Sequence, residues 1–347
     1  MKLNILLIDT VSAKPYSVES LQREPLGGTE ATVLRIARAL SEQHNLTIAQ
    51  SSRPFPEVDR YGINYVPYLY KGGNPVSGNP DHVIVIRAYK ILPRIRKLFP
   101  ESKLYLWMHC FPGKHAKKLN RMAINTNTSL ITVSDYHKQT VENFLRKYGE
   151  KDNSGLAKVI RIYNPIDDHL KPNQCLVNPT KLVYFSSPHK GLKQVLSTFE
   201  FIRRLNPKLQ LFVANPGYVV DNSFNSTAGV VNLGALPHAE IIQHVRESFC
   251  VFYPQTKFRE TFGLVFAEAN AIGTPVLAHP IGSTPEILSH NSQLVNCTKM
   301  SDVNDALLSW YNNGRPEVAA NEEFRCSHVA RQWGMVLTEK NEELVMD

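Results

Sequence analysis

Short apolar segments alternate with amphipathic ones along the first half of the chain, and this alternation restricts the fold more than any single motif. Strands are predicted over residues 3–9, 46–49, 83–86, 104–108, 130–133 and 159–163, with helices over 29–43, 114–125 and 135–147. Near-continuous runs of Val, Ile and Leu separated by helices predict a parallel sheet covered on both faces. The run Tyr163-Asn164-Pro165-Ile166-Asp167 closes the series, residues 168–180 read as a linker, and the pattern then begins again. Further strands are predicted over 182–186, 209–214, 230–233, 250–253, 276–279 and 294–296, with a helix over 192–205. At 347 residues the chain is too long for one ordinary core and suits two domains of about 150 residues each. The expected division is 1–170, 171–320 and a tail, 321–347. Within the tail, residues 321–343 read as a helix with Val329, Trp333, Val336 and Leu337 on one stripe.

The most specific string starts at Phe258 and reads Phe-Arg-Glu-Thr-Phe-Gly-Leu-Val-Phe-Ala-Glu-Ala-Asn-Ala-Ile-Gly-Thr-Pro-Val. Residues 264–272 have helical periodicity and stop at Gly273, and 275–278 restart as a short buried strand. Glu260 therefore stands just ahead of a helix and Glu268 inside it, at most about 12 Å apart along the axis. Gly263 lets the backbone approach a ligand just where a helix presents unpaired N–H groups and its positive dipole end. A diphosphate can rest there, with one carboxylate toward a hexose hydroxyl and the other toward a ribose. By spacing alone, the commoner reading is an ordinary strand–helix crossover with two solvated glutamates.

The whole string resembles the family 4 retaining glycosyltransferases of the GT-B fold, whose C-terminal domain carries Glu, seven residues, Glu within a Glu-Gly-Phe-Gly-like loop. Phe262, Gly263, Glu268 and the later Gly-Thr-Pro-Val and Gly-Ser-Thr-Pro-Glu segments match it, and Thr261 replaces the usual glycine. Weaker matches extend the resemblance over nearly the full chain. It implies an α/β GT-B fold, two Rossmann-like lobes with parallel sheets and a cleft between them, with the tail helix crossing back to the first lobe; by sequence alone, a surface helix of the second lobe fits the tail nearly as well. The implied activity is retaining transfer of a hexose from a nucleotide diphosphate sugar, UDP- or GDP-linked, to a hydroxyl of a glycan or lipid-linked acceptor, with no metal and no other cofactor. Glu260 would then lie beside the sugar hydroxyls and Glu268 on the ribose, with Phe262, Gly263 and Leu264 in the donor loop.

The same resemblance draws in residues that are ambiguous alone. Gly27 and Gly28 open a helix after a long loop; as a bare pair they are more often a turn, but the family sets a glycine loop against the donor diphosphate here. In Ser186-Ser187-Pro188-His189-Lys190-Gly191, Lys190 matches a Lys-Gly that neutralises the leaving diphosphate. The family's preceding arginine is missing, since Tyr184, Phe185 and Ser186 occupy its stretch; the Ser187 hydroxyl, local N–H groups or Arg259 are the substitutes at hand. His109 ends a strand at the sheet edge where ligands bind, and the family keeps a histidine there, near the transferred sugar. Ser134-Asp135 and the Gly234-Ala235-Leu236 turn resemble segments that contact donor or base.

The net charge of +8 is unevenly placed: residues 1–170 hold 24 Lys and Arg against 15 Asp and Glu. Ten basic residues and one acid fall between Arg87 and Arg121, a patch suited to an anionic membrane surface or, equally, to a solvated helix with its apolar side turned inward. No recognised nucleic-acid module accompanies it. Five scattered cysteines without a Cys-x-x-Cys pair, and no apolar run long enough for a signal peptide or span, predict a reduced, cytoplasmic protein, peripheral at most. The sequence lacks Asp-x-Asp, Gly-x-Gly-x-x-Gly, Walker, Gly-x-Ser-x-Gly and His-Glu-x-x-His motifs, which weakens the metal-dependent GT-A, dehydrogenase, NTPase, serine hydrolase and zinc protease readings. Two alternatives stay open: a GT-B sugar-nucleotide epimerase, and a catalytically silent carbohydrate-binding or scaffold protein.

Overall fold

The computed structural model describes residues 2–69, 76–149, 155–215 and 227–338, and the chain divides into two compact units. The first comprises residues 1–17, 32–165 and 325–347, the second 18–31 and 166–324.

The first unit carries strands β1 (Asn4–Asp9), β2 (Asn45–Gln50), β3 (Glu57–Val58), β4 (Asn64–Pro67), β5 (His82–Ile86), β6 (Lys103–Trp107), β7 (Thr128–Thr132) and β8 (Val159–Arg161). They form one sheet in the order β3-β4-β2-β1-β5-β6-β7-β8, parallel throughout except for the short β3–β4 pair at its edge. The central strand β5, His-Val-Ile-Val-Ile, is buried along its whole length, as a parallel strand covered on both faces must be. Leu92, Ile95, Leu119, Val141 and Leu145, from helices α3 (Leu92–Leu98), α4 (Leu119–Asn125) and α5 (Asp135–Gly149), close the core over Val83, Val85, Leu104 and Leu106. The helix expected over 114–125 is shorter, a single tight turn at Lys114–Ala116 followed by α4. The edge pair β3–β4, broken by turn residues, has no readable period.

The tail helix is α11 (Cys326–Thr338); expected residues 339–343 lie outside the described ones. Its stripe is buried within the first unit: Trp333 meets Trp107 edge-on at 4.7 Å, and the Tyr105 hydroxyl donates to the Val336 carbonyl at 3.3 Å.

The second unit holds β9 (Asn178–Phe185), β10 (Gln210–Asn215), β11 (Val230–Ala235), β12 (Ser248–Tyr253) and β13 (Val276–Ala278), all parallel, in the order β11-β10-β9-β12-β13. Its helices are α1 (Ser20–Arg23), α6 (Leu192–Leu205), α7 (His238–Arg246), α8 (Leu264–Ala271), α9 (Thr284–Ile287) and α10 (Met300–Asn313). The strand expected over 294–296 does not form. Leu294 makes one bridge to Ala278, and the Asn296 side chain then accepts from the Thr298 N–H and hydroxyl, a local turn that ends the pairing. The chain runs outward from β9 through β10 to β11, then returns to lay β12 on the other side of β9. The order therefore reverses between β9 and β12, and the crevice at the C-terminal ends of such strands is where open parallel sheets bind ligands.

Candidate functional site

Lys190 and Glu260 come from the two loops that leave this reversal point. After β9, Ser187 starts a tight turn in which the Lys190 N–H returns to the Ser187 carbonyl at 2.9 Å. After β12, Gln255 organises the loop: its side-chain oxygen accepts the N–H groups of Lys257 and Phe258, and its amide donates to the Phe258 carbonyl. The Lys190 ammonium meets both Glu260 oxygens, at 3.0 and 2.9 Å, and lies 5.2 Å from the Phe258 ring centroid. The Tyr253 hydroxyl donates to Glu260 Oε1 at 3.0 Å. Glu260 is only 5% exposed, so these charge-assisted bonds replace the water it has lost.

The later Gly-Ser-Thr-Pro-Glu string fixes the backbone of the same glutamate. Gly282 pairs with Glu260 as an isolated parallel bridge, and the Ser283 hydroxyl lies 3.1 Å from the Glu260 carbonyl and 2.8 Å from that of Phe262. Gly282 has φ +68°, and a Cβ there would sit 2.8 Å from the Glu260 carbonyl oxygen and 2.9 Å from its nitrogen. Only glycine permits that approach.

Gly263, at φ +89°, caps the N-terminus of α8. From Phe266 to Ala271 this helix is buried on every side, so each polar side chain on it needs a partner. Asn270 pairs with Gln293 at 2.9 Å. Glu268, 5% exposed, meets His238 Nε2 at 2.9 Å; His238 opens α7, directly after Leu236 and Pro237 at the end of β11. Glu260 and Glu268 are thus both buried and both paired, on either side of the same helix start.

Residues 18–31 cluster with this unit, which brings the glycine loop to it. A Cβ on Gly28 would come within 3.2 Å of Leu264 Cδ1, and the Gly27 carbonyl accepts the Ala31 N–H as α2 (Gly28–Ser41) begins. Phe262 is buried edge-on to Phe324, with ring centroids 5.0 Å apart, a core role for an expected donor-loop residue. Ser187 is buried, and its hydroxyl pairs with His189 Nδ1 at 2.8 Å. Burial, then the Lys190 charge, lowers the His189 pKa, with Glu260 pulling the other way. Tyr184, in the stretch where the arginine is missing, is fully buried and donates to the Ser187 carbonyl at 2.9 Å. It brings no charge to the site, and Arg259 is exposed.

His109 belongs to the first unit, two residues beyond β6, with its ring 5.0 Å from Trp107. Burial, then Arg87 and His137, holds its pKa well below the ordinary imidazole value. His137 is buried at the start of α5, where Nδ1 accepts the Val133 N–H and Nε2 bonds the Cys110 carbonyl. Desolvation takes its pKa down to about 4. A cavity of about 60 Å³ beside them is lined by Arg87, Tyr89, Cys110, Phe111 and His115, among others.

The basic stretch divides by role. Leu92, Ile95 and Phe99 are core residues, and Arg96 caps the Thr126, Pro100 and Ser102 carbonyls. Lys90, Arg94, Lys97, Lys114, Lys117, Lys118 and Arg121 remain exposed. No disulfide joins any of the five cysteines. Among the described residues, no helix is long and apolar enough to cross a membrane.

Residues 183–332, which contain all of these second-unit residues except the glycine loop, match the family described as Glycosyl transferases group 1. Over that segment the chain is similar to the glycosyl transferases group 1. A phosphatidyl-myo-inositol mannosyltransferase of Propionibacterium freudenreichii is 31% identical over 119 residues, 34% of this chain and 30% of that protein. A Mycobacterium tuberculosis glycogen synthase is 27% identical over 154 residues, 41% of this chain and 37% of the relative. The matches thus span about a third of the length of these curated relatives. Among solved structures, sucrose-phosphate synthase from Thermosynechococcus elongatus superposes with TM-score 0.69 at 13% identity, over 96% of this chain and 98% of that one. Anabaena HepE in complex with UDP and glucose gives 0.67 at 16% identity, over 96% and 99%. The fold of this chain is GT-B.

Sequence reasoning did not single out Tyr253 or His238 as parts of the site, and it took Gly282 and Ser283 only as members of the matching string, with no role for either. Tyr253 ends an apolar strand in which nothing distinguishes a phenol from core filling. His238 is thirty residues from its partner, and no local pattern links the two.

Proposed function

We propose that this chain is a group 1 hexosyltransferase that moves a hexose from a nucleotide diphosphate sugar to an acceptor hydroxyl, with retention at the anomeric carbon and without a metal. The observation that carries the reading is the pair of buried carboxylates, Glu260 and Glu268, at the start of α8, with Lys190 held on the first and His238 on the second. In this scheme the diphosphate lies over the Gly263 helix end, Gly27 and Gly28 close on it, and Lys190 neutralises the charge gained as the anomeric C–O bond breaks. Glu268 takes the ribose diol, Leu236 and its neighbours face the base, Glu260 takes the sugar hydroxyls, and His109 is assigned to the transferred sugar. The acceptor oxygen bonds to the anomeric carbon on the face the phosphate leaves, and the departing phosphate oxygen takes the acceptor's proton. HepE, solved with UDP and glucose, supports a uridine donor within the UDP- or GDP-sugar class.

Thermal shift against UDP-, GDP-, ADP- and dTDP-sugars tests the reading, because a ligand of the folded state raises its stability. Glu268→Ala is expected to weaken donor binding and Glu260→Ala to suppress transfer; unchanged kinetics in both variants would refute the assignment. A second reading, a silent donor-binding protein, draws on the uncharged Tyr184 in the arginine stretch. Donor binding without hydrolysis or transfer over a wide acceptor panel would favour it. The acceptor is a glycan or a lipid-linked hydroxyl, and the exposed lysines and arginines of the first unit suit an anionic bilayer. With Leu92, Ile95 and Phe99 turned inward, that contact is electrostatic rather than an insertion.

A further inference from the structure

Tyr253 has no task in the transfer scheme, yet its hydroxyl touches the glutamate at the centre of it. The contact to Glu260 Oε1 is 3.0 Å, shorter than the 3.4 Å from the same hydroxyl to the Lys190 carbonyl, and the ring is 1% exposed. It stacks on Tyr184 with centroids 5.4 Å apart and planes 12° from parallel, and meets the Phe266 ring edge-on at 5.0 Å. Lys190, the other donor to Glu260, differs in kind: it is an ammonium on a flexible stem, with a side chain 27% exposed. A nucleotide diphosphate is a stronger anion than a carboxylate, so a bound donor competes with Glu260 for that ammonium. A carboxylate this deeply buried cannot be left without a donor cheaply. Burial, and then the adjoining carboxylate charge, holds the Tyr253 phenol well above its ordinary pKa, so it keeps its proton.

We propose that Tyr253 is a positioning residue that keeps the Glu260 carboxylate in place while Lys190 turns from it to the leaving diphosphate. The inference rests on the glycosyltransferase reading. It assigns the phenol a role in turnover rather than in donor affinity, because the ground-state diphosphate is held by other groups.

Tyr253→Phe keeps the ring, the stack and the edge contact and removes only the donated proton. With the sugar nucleotide that gives the largest thermal shift, turnover is followed as released nucleoside diphosphate. The expected result is a fall in kcat of about ten- to a hundredfold, the range for a hydrogen bond to a charged group, with donor KM changed by less than about twofold. Tyr311→Phe removes another phenol hydrogen bond, to the Pro179 carbonyl, and is expected to leave kcat unchanged. p-Aminophenylalanine at position 253 restores an N–H donor and is expected to bring back most of the lost kcat. It also serves as the second variant if the Phe form is unstable. A folded Phe variant with kcat within about twofold of the unaltered chain, or a loss that the amino variant does not restore, overturns the inference. Absence of any thermal shift and any turnover in the unaltered chain sinks the glycosyltransferase reading itself, and this inference with it, before any variant is made.

Discussion

At the scale of residues, the second unit pairs the buried Glu260 and Glu268, and the first keeps His82, His109 and His137 neutral by desolvation. Lys190→Met would leave the Glu260 carboxylate with the Tyr253 hydroxyl as donor, a cost of about 1–3 kcal/mol by analogy with other buried groups that lose a hydrogen-bond partner. Denaturant midpoints would show that loss, and donor affinity would fall as well. His137 and His82 are both buried with pKa values of about 4, against 6.5 for the free imidazole. Below pH 6.5 the unfolded chain therefore binds protons that the folded chain refuses. The stability from each neutral histidine, on the order of 3 kcal/mol, is complete above pH 6.5 and lost as the pH falls toward 4. The melting temperature should drop through that window, and less steeply in His137→Asn; parallel slopes for the two proteins would contradict the account.

At the scale of elements, the site depends on loops that lock one another. Gly282→Ala forces a Cβ into the Glu260 backbone at a φ that L-residues rarely adopt. The expected cost is roughly 1–3 kcal/mol, with activity falling further than stability because the shift is delivered to Glu260, which the proposed scheme sets on the sugar. If activity in Gly282→Ala merely tracked the folded fraction, the coupling between the two loops would be absent. Trp333→Ala removes the ring that α11 places against Trp107. A loss of about 3–5 kcal/mol is expected, read as a lowered midpoint of chemical unfolding. The stripe Val329, Trp333, Val336 and Leu337 was legible because helical spacing reports burial directly. The short β3 and β4 were not, since two- and four-residue strands establish no period.

At the scale of the whole molecule, the net charge of +8 is concentrated where the exposed lysines and arginines of residues 90–121 lie. Reversing Arg94, Lys97 and Lys118 to glutamate should abolish binding to vesicles rich in anionic lipid while leaving the fold intact. Failure of the unaltered protein to bind such vesicles would end the membrane proposal. A donor at a hundred times its dissociation constant should stabilise the chain by about 2.7 kcal/mol, and Glu268→Ala should diminish that gain. The sequence by itself determined the two parallel α/β units, the place of Glu260 and Glu268 around a helix start, and the glycine that opens that helix. All of these follow from periodicity and from residue chemistry within one turn or one loop. Only the tertiary structure decided that Lys190 lies on Glu260, that Tyr253 and Ser283 support the same glutamate, and that His238 pairs with Glu268. Those contacts join residues 7 to 70 positions apart, and sheet order, which no local pattern encodes, is what brings the ends of β9 and β12 side by side.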